Sequence, residues 1–154
     1  MNQETKTRYK AVIMSHFKQP KNKRSGSFPE HYFVARGRNP SCGDDIEIGV
    51  QVGRPEDGSE QTIAEAGFRG RGCSICLASA SMLTESVLGK SEDSALRLVE
   101  QMKHSFSGQN AELDSIPEAL KPLSAVAAHP ARHRCVLLAW NALEEAINQR
   151  HNKT

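Results

Sequence analysis

The chain has 154 residues, of which 38% are hydrophobic and 25% charged, with a net charge of +2; this size and mix suit one folded domain over residues 1–154 and argue against wholesale disorder. Its basic residues are scattered apart from small clusters at 21–24 and 132–134, which disfavours nucleic acid, and the longest apolar run, CVLLAW, is far short of the roughly 20 residues that cross a bilayer. The start, MNQETKTRYK, has no apolar stretch behind it, so no signal peptide and a cytoplasmic location are expected.

In chain order, residues 5–17 carry Tyr9, Val12, Ile13 and Phe17 at helical spacing and predict a short amphipathic helix, ended by Pro20 and the basic KNKRSG. The stretch 30–37, EHYFVARG, is rich in aromatic and β-branched residues and predicts a first strand. In DIEIGVQV, Ile46, Ile48, Val50 and Val52 alternate with Glu47, Gly49 and Gln51, the two-residue period of a strand with one packed and one wet face. Turn residues at 53–60 and a second alternating run around Ile63, Ala66 and Phe68 predict that these two strands form an antiparallel hairpin.

After GRGC the pattern turns helical, with Cys76, Ala80, Leu83 and Val87 on one stripe and Gly89 as a stop. SEDSALRLVEQMKHSF predicts another helix with Ser91 as N-cap, Leu96, Val99 and Met102 inward, and Gly108 as its end. The stretch 112–130 predicts one or two short helices broken at Pro117, Pro122 and Pro130. A last helix over about 131–149 repeats Val136, Trp140, Leu143 and Ile147. Strands first and helices afterwards predict an α+β fold: a small three-stranded antiparallel sheet packed by several helices on one face.

Four cysteines, Cys42, Cys73, Cys76 and Cys135, in a reducing compartment favour metal binding or thiol chemistry over disulfides. Cys42 lies in the turn before the hairpin, Cys73 in a Gly-rich turn at a helix N-terminus, and Cys135 in the first turns of the last helix, so three elements each deliver one thiol. Taken singly, each is as well read as a small buried hydrophobe. Asp44 supplies a fourth ligand for a tetrahedral site of the kind zinc accepts, although a turn carboxylate is the plain alternative and Asp45 suits that role equally. Cys76 falls on the apolar stripe and is better read as a packed thiol than as Cys73's partner in a zinc or redox CSIC pair. His133, two positions before Cys135, should point away from it, at the surface or behind the ligands.

Three segments together, NPSCGDD, GRGCSICLASASMLTE and HPARHRCVLLAWNALEEAI, resemble the three cysteine motifs of the IscU/NifU-type iron-sulfur cluster assembly proteins. Within that family the chain is most similar to the SufU type. The stretch between Cys73 and Cys135 is long and holds the helical insert, and residue 134 is Arg where the IscU type has a ligand histidine.

The resemblance implies a SufE/NifU-like fold, one zinc held by Cys42, Asp44, Cys73 and Cys135, and a sulfurtransferase in which Cys42 accepts persulfide sulfur from a SufS-like cysteine desulfurase. A histidine of that partner is then expected to displace Cys42 from the zinc, and downstream iron-sulfur assembly proteins are the further partners. Arg132 matches a position associated with partner or active-site contact, and Cys76 departs from the family's serine-like residue. Three other readings compete: an IscU-type scaffold on which a transient [2Fe-2S] iron-sulfur cluster is built, a structural zinc domain, and a dithiol oxidoreductase using Cys73 and Cys76.

Overall fold

The computed structural model describes residues 1–54, 56–107 and 115–152. Helix α1 spans Gln3–Lys18, and strands β1 (Phe33–Asn39), β2 (Asp44–Gly53) and β3 (Thr62–Arg71) follow. Then come helices α2 (Ser74–Val87) and α3 (Glu92–Ser105), two 3-10 helices at Glu118–Val126 and Pro130–Arg132, and the long closing helix α4 (His133–Asn152). The three strands form an antiparallel sheet in the order β1-β2-β3. Among the described residues no helix is long and apolar enough to cross a membrane.

The expected strand alternation sets the two faces of the sheet. Ile46, Ile48 and Val50 of β2 and Ile63, Ala66 and Phe68 of β3 are buried in the core with Leu83 and Val87 of α2 and Val136, Trp140, Leu143 and Ile147 of α4. Helices α2 and α4 are tied across that core by a buried polar relay: Trp140 Nε1 donates to Ser79 Oγ at 3.1 Å, and Ser79 Oγ donates to the Val136 carbonyl at 2.7 Å. Each polar atom in that relay has a partner, which removes the cost of burying it.

The opposite face is not uniformly wet. The chain leaving α1 crosses it: Arg24 N donates to the Phe68 carbonyl at 2.8 Å, Phe68 N donates to the Asn22 carbonyl at 3.1 Å, and Phe28 lies so close over Gly49 that a Cβ there would meet its ring at 2.6 Å. This bridge also covers the outer edge of β3, where an unpaired strand would invite association. The end of this face nearest the β1–β2 turn carries the exposed side chains of Arg36, Arg38 and Arg71.

Several sequence expectations are corrected. Of the stripe predicted on α1, Ile13 is buried but Phe17 is exposed. In α3, Leu98 is buried where Leu96 was expected, and Leu96 only flanks the core. Pro122 does not break a helix; it lies inside the 3-10 helix Glu118–Val126, whose φ matches the angle the proline ring enforces, and Pro130 opens the next one. Ser91 caps α3 through its side chain as expected, whereas the stop assigned to Gly108 lies outside the described residues.

Gly70 makes a local test of the sheet's end. Its φ is +126°, and a Cβ there would sit 2.2 Å from the Asp45 carbonyl oxygen. Gly70→Ala should therefore destabilise the fold by about 3 kcal/mol or more through backbone strain and overpacking. Urea unfolding checks this, and a loss below about 1 kcal/mol contradicts it.

Candidate metal centre

The β1–β2 connection is a tight turn in which Cys42 N donates to the Asn39 carbonyl at 3.1 Å, with Gly43 at a φ of +72°. This turn holds Cys42 at the surface, while Asp44, the first residue of β2, is 2% exposed. Strand parity explains the difference between neighbouring aspartates. Asp44 shares the inward face of Ile46 and Ile48, whereas Asp45 shares the outward face of Glu47, where Arg36 holds its carboxyl below the usual range.

Cys73 is the N-cap of α2, and its sulfur accepts from the Cys76 backbone N–H at 3.4 Å. Its own N–H donates to Asp44 Oδ1 at 2.8 Å, and its Sγ lies 3.9 Å from Asp44 Oδ2. Cys135, fully buried in the first turns of α4, has its Sγ 3.9 Å from that of Cys42. The ligand atoms of Cys42, Asp44 and Cys135 all lie within 4.8 Å of one another. Cys73 does not join that mutual set and is tied to it through Asp44.

The donor set fits a cation. Burial, followed by the negative charge of Cys73 and hydrogen bonds with Cys73 and Cys42, pushes the Cys135 thiol up to about 12. A metal ion reverses that crowding by supplying positive charge where the acids converge. Zinc–sulfur bonds of about 2.3 Å in a tetrahedron place sulfurs about 3.8 Å apart, close to the 3.9 Å between Cys42 and Cys135. Thiolates with a carboxylate are a donor set that zinc takes.

Three residues frame the cluster. Arg132, exposed in the 3-10 helix before α4, hydrogen-bonds Cys135 and faces Cys73; both interactions hold its guanidinium pKa up. Cys76 is fully buried, as its place on the apolar stripe implied, and burial with the nearby Asp44 carboxylate drives its thiol pKa upward. Asn39 was not singled out from the sequence: it is 2% exposed, its Nδ2 donates to Cys42 Sγ at 3.5 Å, and its Oδ1 has no partner among the described residues. Its position three residues before a turn cysteine was the signal available.

His133 does point away from the thiols, its Nε2 donating to the Ala127 carbonyl at 2.8 Å. It is buried edge-on against Phe106 rather than lying at the surface. Arg134, by contrast, is exposed.

Known proteins carry the same arrangement of chain. Residues 8–154 match the NifU-like N terminal domain family. The chain is 35% identical to the zinc-dependent sulfurtransferase SufU of Bacillus subtilis over 95% of its own length and 93% of the relative's. It is 37% identical to the iron-sulfur cluster assembly scaffold protein IscU of Streptococcus pyogenes, over 94% and 85%. Among solved structures, a candidate SUF-system iron-sulfur cluster assembly scaffold from Fervidobacterium islandicum is 25% identical, with a TM-score of 0.66 over 88% of this chain and 93% of that one. The N-terminal NifU-like protein of Brucella abortus, at 20% identity and a TM-score of 0.73 over 93% and 94%, shares the fold. The chain therefore belongs to the NifU-like N-terminal domain family, the IscU/NifU/SufU group of iron-sulfur cluster assembly proteins.

Proposed function

We propose that this protein is a zinc-dependent sulfur acceptor that takes persulfide sulfur from a cysteine desulfurase, with Cys42, Asp44, Cys73 and Cys135 as the zinc ligands and Cys42 as the accepting thiol. The observation that carries the reading is the mutual approach of Cys42, Asp44 and Cys135 within 4.8 Å, with Cys42 the exposed member. When bound, zinc keeps its coordinated thiols deprotonated at neutral pH.

The chain's own residues divide the remaining work. Cys42 is held by a surface turn, whereas Cys73 and Cys135 are fixed by helices α2 and α4, so Cys42 is the sulfur a donor can reach. Asn39 orients it by donating to Sγ. In the transfer the Cys42 sulfur attacks the outer sulfur of the donor's cysteine persulfide. A new S–S bond forms on Cys42, the donor's S–S bond breaks, and its electron pair leaves with the donor's inner sulfur as a thiolate. Arg132, already beside Cys135 and Cys73, supplies positive charge for the anionic sulfur group.

The name of the streptococcal relative favours a second reading, a scaffold for a [2Fe-2S] cluster. Against it stands Arg134, an exposed cation at the position before Cys135. Incubation with a desulfurase and cysteine, followed by intact-protein mass spectrometry, separates the two. The acceptor reading expects zinc in the purified protein and a mass increase of one sulfur atom on Cys42, and a protein that takes up no sulfur contradicts it.

A further inference from the structure

The end of the outer sheet face nearest the β1–β2 turn carries an unusual charge ladder. Register places Arg38, Asp45 and Arg71 in one row across the three strands, and Arg36, Glu47 and Arg69 in the next. The two carboxylates form the central column and the four arginines flank it; both carboxylates, Arg36, Arg69 and Arg71 line a shallow cavity of about 380 Å³ there. Arg36 pairs with Asp45 at 2.5 Å and Arg69 with Glu47 at 2.7 Å, which uses both carboxylates. Arg38 reaches Asp45 only at 3.8 Å, and Arg71, exposed, has no ion pair among the described residues. Four arginines against two carboxylates leave this face an excess of two positive charges, equal to the net charge of the whole chain. Exposed ion pairs add little stability, so the ladder's surplus is not explained by folding.

Its position gives the surplus a use. Arg38 is four residues from Cys42, at most about 14 Å along an extended chain. Arg71 lies across from Asp45, which is three residues from Cys42, and sits two residues before Cys73. A protein that brings a persulfide to Cys42 must bury surface around it, and an ordinary interface of about 800 Å² per partner spans roughly 16 Å in every direction. That footprint takes in the row of Arg38, Asp45 and Arg71. A basic donor surface would meet like charge there, whereas an acidic one is both steered in and held.

Building on the sulfur-acceptor reading, we propose that the Arg36–Arg38–Arg69–Arg71 face is the docking surface for an acidic patch beside the persulfide-bearing cysteine of the sulfur donor. The test compares zinc-loaded wild type with the double variant Arg38→Glu/Arg71→Glu, two arginines that the ladder does not need for its closest pairs. Affinity for the cysteine desulfurase of the same genome is measured at low and high salt. Sulfur uptake by Cys42 is measured separately from glutathione persulfide, which needs no protein docking.

The wild type should bind more weakly as salt rises. The variant should lose about tenfold or more in affinity at low salt and most of the salt dependence, with unchanged uptake from glutathione persulfide. If the glutamates disturb folding, seen as a lowered melting temperature, Arg38→Gln/Arg71→Gln replaces them and should show a smaller loss of the same kind. Wild-type affinity in a variant that still folds, or binding by the wild type that ignores salt, overturns the docking surface and leaves the acceptor reading standing. A wild type that takes sulfur from neither donor overturns both. Slowed transfer only from Cys42 onward to a later acceptor, with donor affinity intact, also overturns the assignment.

Discussion

Cys42→Ala should abolish sulfur uptake from a desulfurase charged with cysteine, with a rate loss of about a hundredfold or more, while the fold stays intact. The substitution removes the attacking atom itself, and no other cysteine replaces it. Cys73 and Cys135 are held by helices, Cys135 and Cys76 are fully buried, and burial raises the pKa of both of these thiols. An exposed turn side chain contributes little packing, so far-ultraviolet circular dichroism should be unchanged, and any fall in melting temperature should be confined to the zinc-loaded protein, one of whose ligands the substitution removes. Intact-mass analysis after incubation decides the matter, and an added sulfur on the variant at the wild-type rate removes Cys42 from the assigned role.

Stripping zinc should lower the melting temperature by about 10 °C or more. A ligand bound only by the native state and present about a thousandfold above its Kd adds about 4 kcal/mol of stability, and a chain of this size shifts by about 2–4 °C per kcal/mol. The structure gives a reason for an effect at the upper end. The proposed ligands come from the β1–β2 turn, the N-cap of α2 and the start of α4, so one ion ties sheet to both core helices. Without it, nothing bridges Asp44 and the three thiols, and the turn, α2 and α4 lose their common tie at the end of the sheet. Asp44→Ala should reproduce much of the loss in the presence of zinc. Scanning calorimetry with and without a chelator checks both, and a melting temperature indifferent to chelator contradicts the ligand assignment.

What the sequence disclosed follows the range of the interactions involved. The hairpin of β2 and β3, the N-cap at Ser91 and the stripe of α4 are written in local periods and capping residues, and each is found in the structure. The convergence of Cys42 with Cys135 is different. Ninety-three residues separate them, and no local pattern brings them together; the combined motifs and their family resemblance did.

The choice between Asp44 and Asp45 was open to a finer reading. The alternation of Ile46, Ile48 and Val50 already places Asp44 on the buried side and Asp45 on the wet side. Parity alone could not reveal the arginine ladder, because it depends on the registers of β1 and β3 against β2. That His133 points away from Cys135 was legible from helix geometry, but its burial was not, since Phe106 and the Ala127 carbonyl come from other parts of the chain.

Whether one metal ion sits among Cys42, Asp44, Cys73 and Cys135 is decided by zinc K-edge X-ray absorption on the protein as purified. One zinc per chain is expected, with three sulfur neighbours at about 2.3 Å and one oxygen at about 2.0–2.2 Å. Cys135→Ser should lower the sulfur count to two. A protein that purifies without zinc, or whose zinc has a shell of nitrogen and oxygen alone, contradicts the claim.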